Sequence, residues 1–222
     1  MSKATIYDSG IQAIDLFMSG GGAPPDPTVF WTQGNGGPWF LDATAPDAGT
    51  TRVRHKFRMR VPGSVENSSD SKIVIMQDAV GFTIVLTTNA GVTNLIVDGI
   101  KDSDGLGVTP ADTTIWVGTR DIWVEIEVYA DQVAQELWFS INGATPVVRP
   151  FTAVGSGSFM TSPRKFAWMA RNNGGSALYE GVQFEYIQTW FTVGGVETSR
   201  RRIEGNAATV NAMTVKQGAD AT

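Results

Sequence analysis

The stretch that most constrains the fold runs from Asp121 to Gly143, DIWVEIEVYADQVAQELWFSING. From Ile122 to Tyr129 two kinds of residue alternate. Ile122, Val124, Ile126 and Val128 point one way; Trp123, Glu125, Glu127 and Tyr129 point the other. A strand turns successive side chains to opposite faces, so this period of two marks a strand buried on one face only. After a polar connector, Leu137, Phe139 and Ile141 alternate again and end at Asn142-Gly143, a pair suited to a tight hairpin turn. Two neighbouring strands with one apolar face each belong to an antiparallel sheet that needs a second sheet to cover it.

The rest of the chain agrees. At 222 residues with 42% hydrophobic residues it can build one large core, and 25 Gly and 10 Pro favour short strands and turns over long helices. Strand signals recur about every ten residues: Thr28–Thr32, Trp39–Leu41, Arg52–Val61, Lys72–Gln77, Gly81–Thr87, Val92–Asp98, Thr114–Gly118, the hairpin, Lys165–Ala170 and Leu178–Phe191. The expected fold is an all-β, two-sheet antiparallel sandwich spanning residues 29–192. Residues 1–28 form an arm or first strand with a Gly/Pro-rich linker, and 193–222 a C-terminal extension.

Composition also narrows the function classes. There is no cysteine, which excludes disulfides and thiolate metal sites. A formal net charge of −5 argues against general nucleic-acid binding, which needs a basic surface. No stretch approaches the roughly 20 apolar residues of a membrane helix. The opening MSKATIYDSG lacks the basic-then-apolar layout of a secretory signal.

Several segments carry a family resemblance. Trp123-Val-Glu-Ile-Glu-Val, Leu137-Trp-Phe-Ser-Ile-Asn-Gly143, Phe166-Ala-Trp-Met-Ala170 with Asn172-Asn-Gly-Gly175, and Tyr179-Glu-Gly-Val-Gln-Phe184 follow one another at characteristic spacing. Their order resembles the concanavalin A-like lectin/glucanase and laminin G-like jelly rolls. The match covers roughly residues 50–192. It implies two curved antiparallel sheets in proteins that bind sugars, bind proteins or build particles. Fold alone does not choose among these.

The sharpest catalytic candidate is Glu125-Ile-Glu127-Val-Tyr129. Carboxylates two apart on a strand share a face about 7 Å apart, near the separation used by retaining glycosidases. The segment resembles the laminarinase-type Glu-x-Asp-x-Glu motif, with Glu127 at the place of the Asp and Tyr129 at the place of the acid/base. A phenol titrating near ~10 is a poor proton donor at neutral pH, so a solvated sheet face is preferred and no catalytic residue is assigned.

Arg52, Arg54, Lys56, Arg58 and Arg60 form an unbroken basic ladder on alternate positions. Such a ladder repels itself unless acid lies alongside. The favoured partners are carboxylates such as Glu125, Glu127 or Glu185 on adjacent strands; the alternatives are an anionic polysaccharide or the acidic face of a neighbouring subunit. His55, the single histidine, falls on the apolar side and reads as a core residue. Trp123 and Trp138, sharing a face with Tyr129, are candidate sugar-stacking rings. Trp31 and Trp39, flanking a glycine-rich loop, are others, with Asn172 and Asn173 as loop hydrogen-bonding groups. Trp116, Trp168 and Trp190 read as packing residues. Asp98, Asp102 and Asp104 offer oxygen ligands of the kind calcium takes, although turn formation explains them as well, and no cofactor is assigned.

These readings converge on a non-enzymatic structural or adhesion protein of a phage or phage-like particle, made in the host cytoplasm and residing in the virion. It would be a head decoration, fibre or tail component, built as a homo-oligomer or with other virion proteins and touching host-surface carbohydrate. The alternatives are a free, extracellular bacterial carbohydrate-binding module and, after that, a glycoside hydrolase or polysaccharide lyase.

Overall fold

Short alternating runs closed by turn residues fold into sixteen strands among the residues described by the computed structural model: 30–31, 40–42, 49–63, 68–78, 82–89, 92–101, 107–108, 113–152, 166–168, 172–173, 182–205 and 213–217. The strands begin with β1 (Phe30–Trp31), β2 (Phe40–Asp42), β3 (Thr50–Arg60), β4 (Ser68–Asp78), β5 (Phe82–Asn89) and β6 (Val92–Lys101). They continue with β7 (Gly107–Val108), β8 (Thr113–Thr119), β9 (Trp123–Asp131), β10 (Glu136–Ile141) and β11 (Val147–Pro150). The last are β12 (Phe166–Trp168), β13 (Asn172–Asn173), β14 (Gln183–Val193), β15 (Val196–Gly205) and β16 (Met213–Gln217).

They pair, antiparallel throughout, into two eight-stranded sheets. The first runs β11-β10-β9-β3-β14-β15-β16, with β1 also on β14. The second runs β2-β12-β4-β5-β6-β7, with β13 on β4 and β8 on β6. One cluster of buried side chains joins them. Val53, Phe57 and Met59 of β3, Ile126 and Val128 of β9 and Phe184 of β14 meet Ile84, Leu86, Leu95 and Val97 of the second sheet. Each such side chain contributes roughly 1.5–3 kcal/mol by leaving water. This is the two-sheet sandwich expected from the sequence.

In the hairpin β9–β10 Tyr129 lies opposite Trp138 and Glu127 opposite Ser140. Beyond β10, Asn142 and Gly143 adopt positive φ, 51° and 70°, in the turn that leads into β11.

The structure differs from expectation at the C-terminal end. Residues 193–222, read as an extension, carry β15 and β16, and the boundary drawn at 192 falls inside β14. The sequence hides these strands because β15 turns Arg201, only 4% exposed, toward the interior beside Ile203. A charged residue on the inward side breaks the apolar alternation. The short edge strand β11 carries no alternation to read, as Val147 is its one half-buried residue. Asn172 and Asn173, expected in a loop, pair instead with Ile73 and Lys72 of β4. Residues 1–28 lie outside the described residues.

Candidate functional site

The outer face of the first sheet gathers most of the sequence's candidate residues. β3 lies at its centre, with β9 and β14 hydrogen-bonded on either side. The register sets Arg52 opposite Asp131, Arg54 opposite Tyr129, Lys56 opposite Glu127, Arg58 opposite Glu125 and Arg60 opposite Trp123. On the other flank Tyr186, Gln188 and Trp190 stand opposite Arg58, Lys56 and Arg54. Residues opposite one another share a face, so the register alone fixes which charges meet.

Every rung of the ladder meets a carboxylate. Arg52 reaches Asp131 at 2.8 Å, Lys56 reaches Glu125 at 2.9 Å, and Arg58 reaches Glu185 at 2.6 Å. Arg54 binds Glu127 at 2.7 Å and also Glu197 of β15, while Arg60 binds Asp121 at 3.0 Å. Farther out, Glu204 receives Arg202 at 2.7 Å and Lys216 at 2.5 Å. Across this sheet these pairs join seven cations to seven carboxylates. Burial works against the Arg54 charge, but its hydrogen bonds to Glu197 and Glu127 outweigh that and hold its pKa above the usual value. The favoured sequence reading of the ladder, cross-strand ion pairing, is the arrangement found.

Aromatic rings fill the spaces between the charges. Arg54 sits 3.8 Å over Trp190, Arg52 4.5 Å over Tyr129 and Arg58 5.4 Å over Trp123. Tyr129 and Trp138 stack with centroids 5.0 Å apart. Guanidinium groups therefore occupy the ring faces that a sugar would need at Trp123, Trp190 and Tyr129. Trp190, read as a packing residue, belongs to this outer face. The strict period counted from Phe184 could not place it, because β14 carries an extra residue, Glu185, against β3 between Phe184 and Tyr186.

The two carboxylates of the glucanase-like segment are both engaged. Glu125 accepts a hydrogen bond from the Tyr186 hydroxyl at 2.5 Å on one oxygen and faces Lys56 at 2.9 Å on the other. Burial alone would raise its pKa. The hydrogen bonds from Tyr186 and Lys56, with the charges of Lys56 and Arg58, outweigh burial and hold it below the usual carboxylate value. The phenols move the opposite way: burial raises Tyr129, and burial with the Glu125 carboxylate raises Tyr186. A carboxyl held ionised and a phenol held neutral make no proton-transfer pair at neutral pH.

His55 faces inward and is fully buried, with Nδ1 3.0 Å from the Thr189 hydroxyl. Burial pushes its pKa down to about 3, so the ring is neutral. Of the other candidates, Trp31, Asn172, Asn173 and Asp98 have only their strand positions described, and Trp39, Asp102 and Asp104 lie outside the described residues. Among the described residues no group of three or more His, Asp or Glu could hold a metal.

No protein-family model and no curated protein matches the sequence. Solved structures similar to the chain include a heptameric SAP-like pentraxin from Limulus polyphemus, 12% identical over 76% of this chain and 78% of that one, with a TM-score of 0.48. Others are mouse laminin α1 domains LG4-5 (12% identical, 90% and 49% covered, TM-score 0.45) and a GH43 glycoside hydrolase (13%, 64% and 30%, TM-score 0.37). The chain thus spans about half of the laminin pair and less than a third of the hydrolase.

Proposed function

We propose that this chain is a non-enzymatic adhesion and assembly module, a structural component of a phage or phage-like particle whose lectin-like sandwich meets host-surface carbohydrate. The observation that carries the non-enzymatic part is the state of Glu125, with one oxygen accepting from Tyr186, the other facing Lys56, and its pKa below the ordinary range. A glycosidase acid needs the reverse, a carboxyl raised by its surroundings. The single histidine is buried and neutral and the chain has no cysteine, so neither an exposed imidazole base nor a thiol nucleophile is on offer. A sheet face whose charges are matched internally suits a rigid body that presents its turns and edges to partners.

Incubation with β-glucans and uronate polysaccharides tests the first half: no new reducing or unsaturated ends are expected. Depolymerisation that disappears in Glu125→Gln would overturn the reading. Light scattering tests assembly. A closed oligomer such as a trimer or pentamer is expected, and a monomer at all concentrations would count against a particle component. A gene neighbourhood of capsid, portal and tail proteins fits the particle setting; one of sugar-degrading enzymes contradicts it.

A further inference from the structure

Three separate stretches converge at one end of the first sheet. Thr51 and Arg52 open β3, Asp131 closes β9 and leads to Val133, and Gly194-Gly195 turn β14 into β15 ahead of Glu197. Together with Thr192 they line a cavity of about 410 Å³. That volume lies within the roughly 300–1,000 Å³ of small-ligand sites.

The polar groups in the wall are held in place by one another and by neighbours behind it. Arg52 spends Nε and one Nη2 hydrogen on Asp131 Oδ2, at 2.9 and 2.8 Å, and rests on the Tyr129 ring. Its Nη1 meets no partner among the described residues. Asp131 Oδ1 in turn accepts from the backbone N–H groups of Val133 and Ala134, both at 2.9 Å, which fixes the connector. Glu197 receives Arg54 on both oxygens, and each oxygen retains a lone pair for a further donor. The Thr51 hydroxyl makes one long bond, 3.4 Å to the Thr192 carbonyl, and can accept as well. Val133 at the rim is 70% exposed and supplies an apolar surface. Gly194 and Gly195 adopt φ of 56° and 80°, and a Cβ at either would project into open space, so no side chain crosses the mouth there.

The charge balance selects the ligand class. Arg52 is neutralised by Asp131 and Glu197 by Arg54, so neither a free anion nor a free cation gains a net field. Fixed donors and acceptors beside a small apolar surface match vicinal hydroxyls and the C–H face of a pyranose ring.

We propose that this cavity binds one neutral sugar residue of a glycan. The proposal rests on the adhesion reading above and gives it a ligand class and a place.

The test is saturation-transfer NMR on the full chain with glucose, galactose, mannose, N-acetylglucosamine and N-acetylgalactosamine, and with glucuronate as the anionic comparator. Saturable binding of at least one neutral sugar is expected, weakened about tenfold or more by Glu197→Ala and measurably by Thr51→Val. Glu197→Ala should fold, because Arg54 keeps Glu127. Preference for glucuronate, no binding of any neutral sugar, or binding indifferent to both substitutions overturns the proposal. A glycan array run in parallel separates the two claims. Wild-type binding that survives both substitutions removes the sugar from this cavity but leaves the adhesion reading standing. No glycan bound in either format removes carbohydrate from both.

Discussion

Along β3 the inward residues Val53, Phe57 and Met59 are at most 1% exposed, whereas the outward Arg52, Arg54, Lys56, Arg58 and Arg60 keep between 21% and 39% of their side chains in solvent. The same strand therefore runs two kinds of physics on alternate residues. Inside, stability comes from apolar area removed from water and from close packing. Outside, it comes from cancelling a repulsion: five like charges in a row are acceptable because each has a carboxylate on a neighbouring strand or, for Arg60, at the turn before β9. Half-exposed ion pairs are individually weak, about 0–1 kcal/mol each, so the outer lattice fixes register and surface chemistry more than it holds the fold together.

The sharpest way to break this contrast is Phe57→Ala. Phe57 is fully buried with its ring centroid 6.4 Å from that of Phe184, so its loss should cost about 3–5 kcal/mol in urea unfolding. A cost below about 1 kcal/mol would mean that the inner face is not a packed core.

His55 comes next. Its folded pKa near 3 lies far below the value of 6.5 for an exposed histidine. Between those values the unfolded chain binds a proton that the folded chain does not. Its contribution is thus fully present above pH 6.5 and is lost as pH falls toward 3. Between pH 6.5 and 5, above the range where the carboxylates titrate, this should remove roughly 2 kcal/mol. His55→Gln should flatten that slope in pH-dependent unfolding; an unchanged slope would put the acid sensitivity elsewhere.

On the outer face Arg54→Met should have the largest effect. It strips both Glu127 and Glu197 of a partner and uncovers Trp190, and about 1–2 kcal/mol is expected from chemical denaturation at low salt. Smallest is Arg60→Ala, whose partner Asp121 lies in solvent at a turn: its urea midpoint should not move beyond measurement error. If Arg60→Ala cost as much as Arg54→Met, the ladder would be a uniform array and not one anchored at its half-buried middle.

Much of this was readable before any coordinates. β3 and β9 announce themselves because their inner residues are apolar apart from His55, and three of the carboxylates that neutralise the ladder, Glu125, Glu127 and Asp131, sit at the matching phase of β9. The parts that stayed hidden have specific causes. β15 places Arg201 inward, so its sequence reads as a polar tail. β14 carries an extra residue, Glu185, against β3, which puts Tyr186 and Trp190 on the outer face out of step with the inward Phe184. The cavity could not be seen at all, since residues 51–52, 131–133 and 192–197 come together only through sheet order.

The central claim is that the strand resembling a glucanase motif carries its carboxylates as structural counter-ions. Carbon-detected NMR titration of the Glu125 side chain tests it most directly. The account predicts a carboxyl that titrates below the ordinary 4.5 and moves upward when Tyr186 is changed to Phe. A Glu125 that titrates well above that value, in the range of a carboxylic acid kept protonated for catalysis, would contradict it.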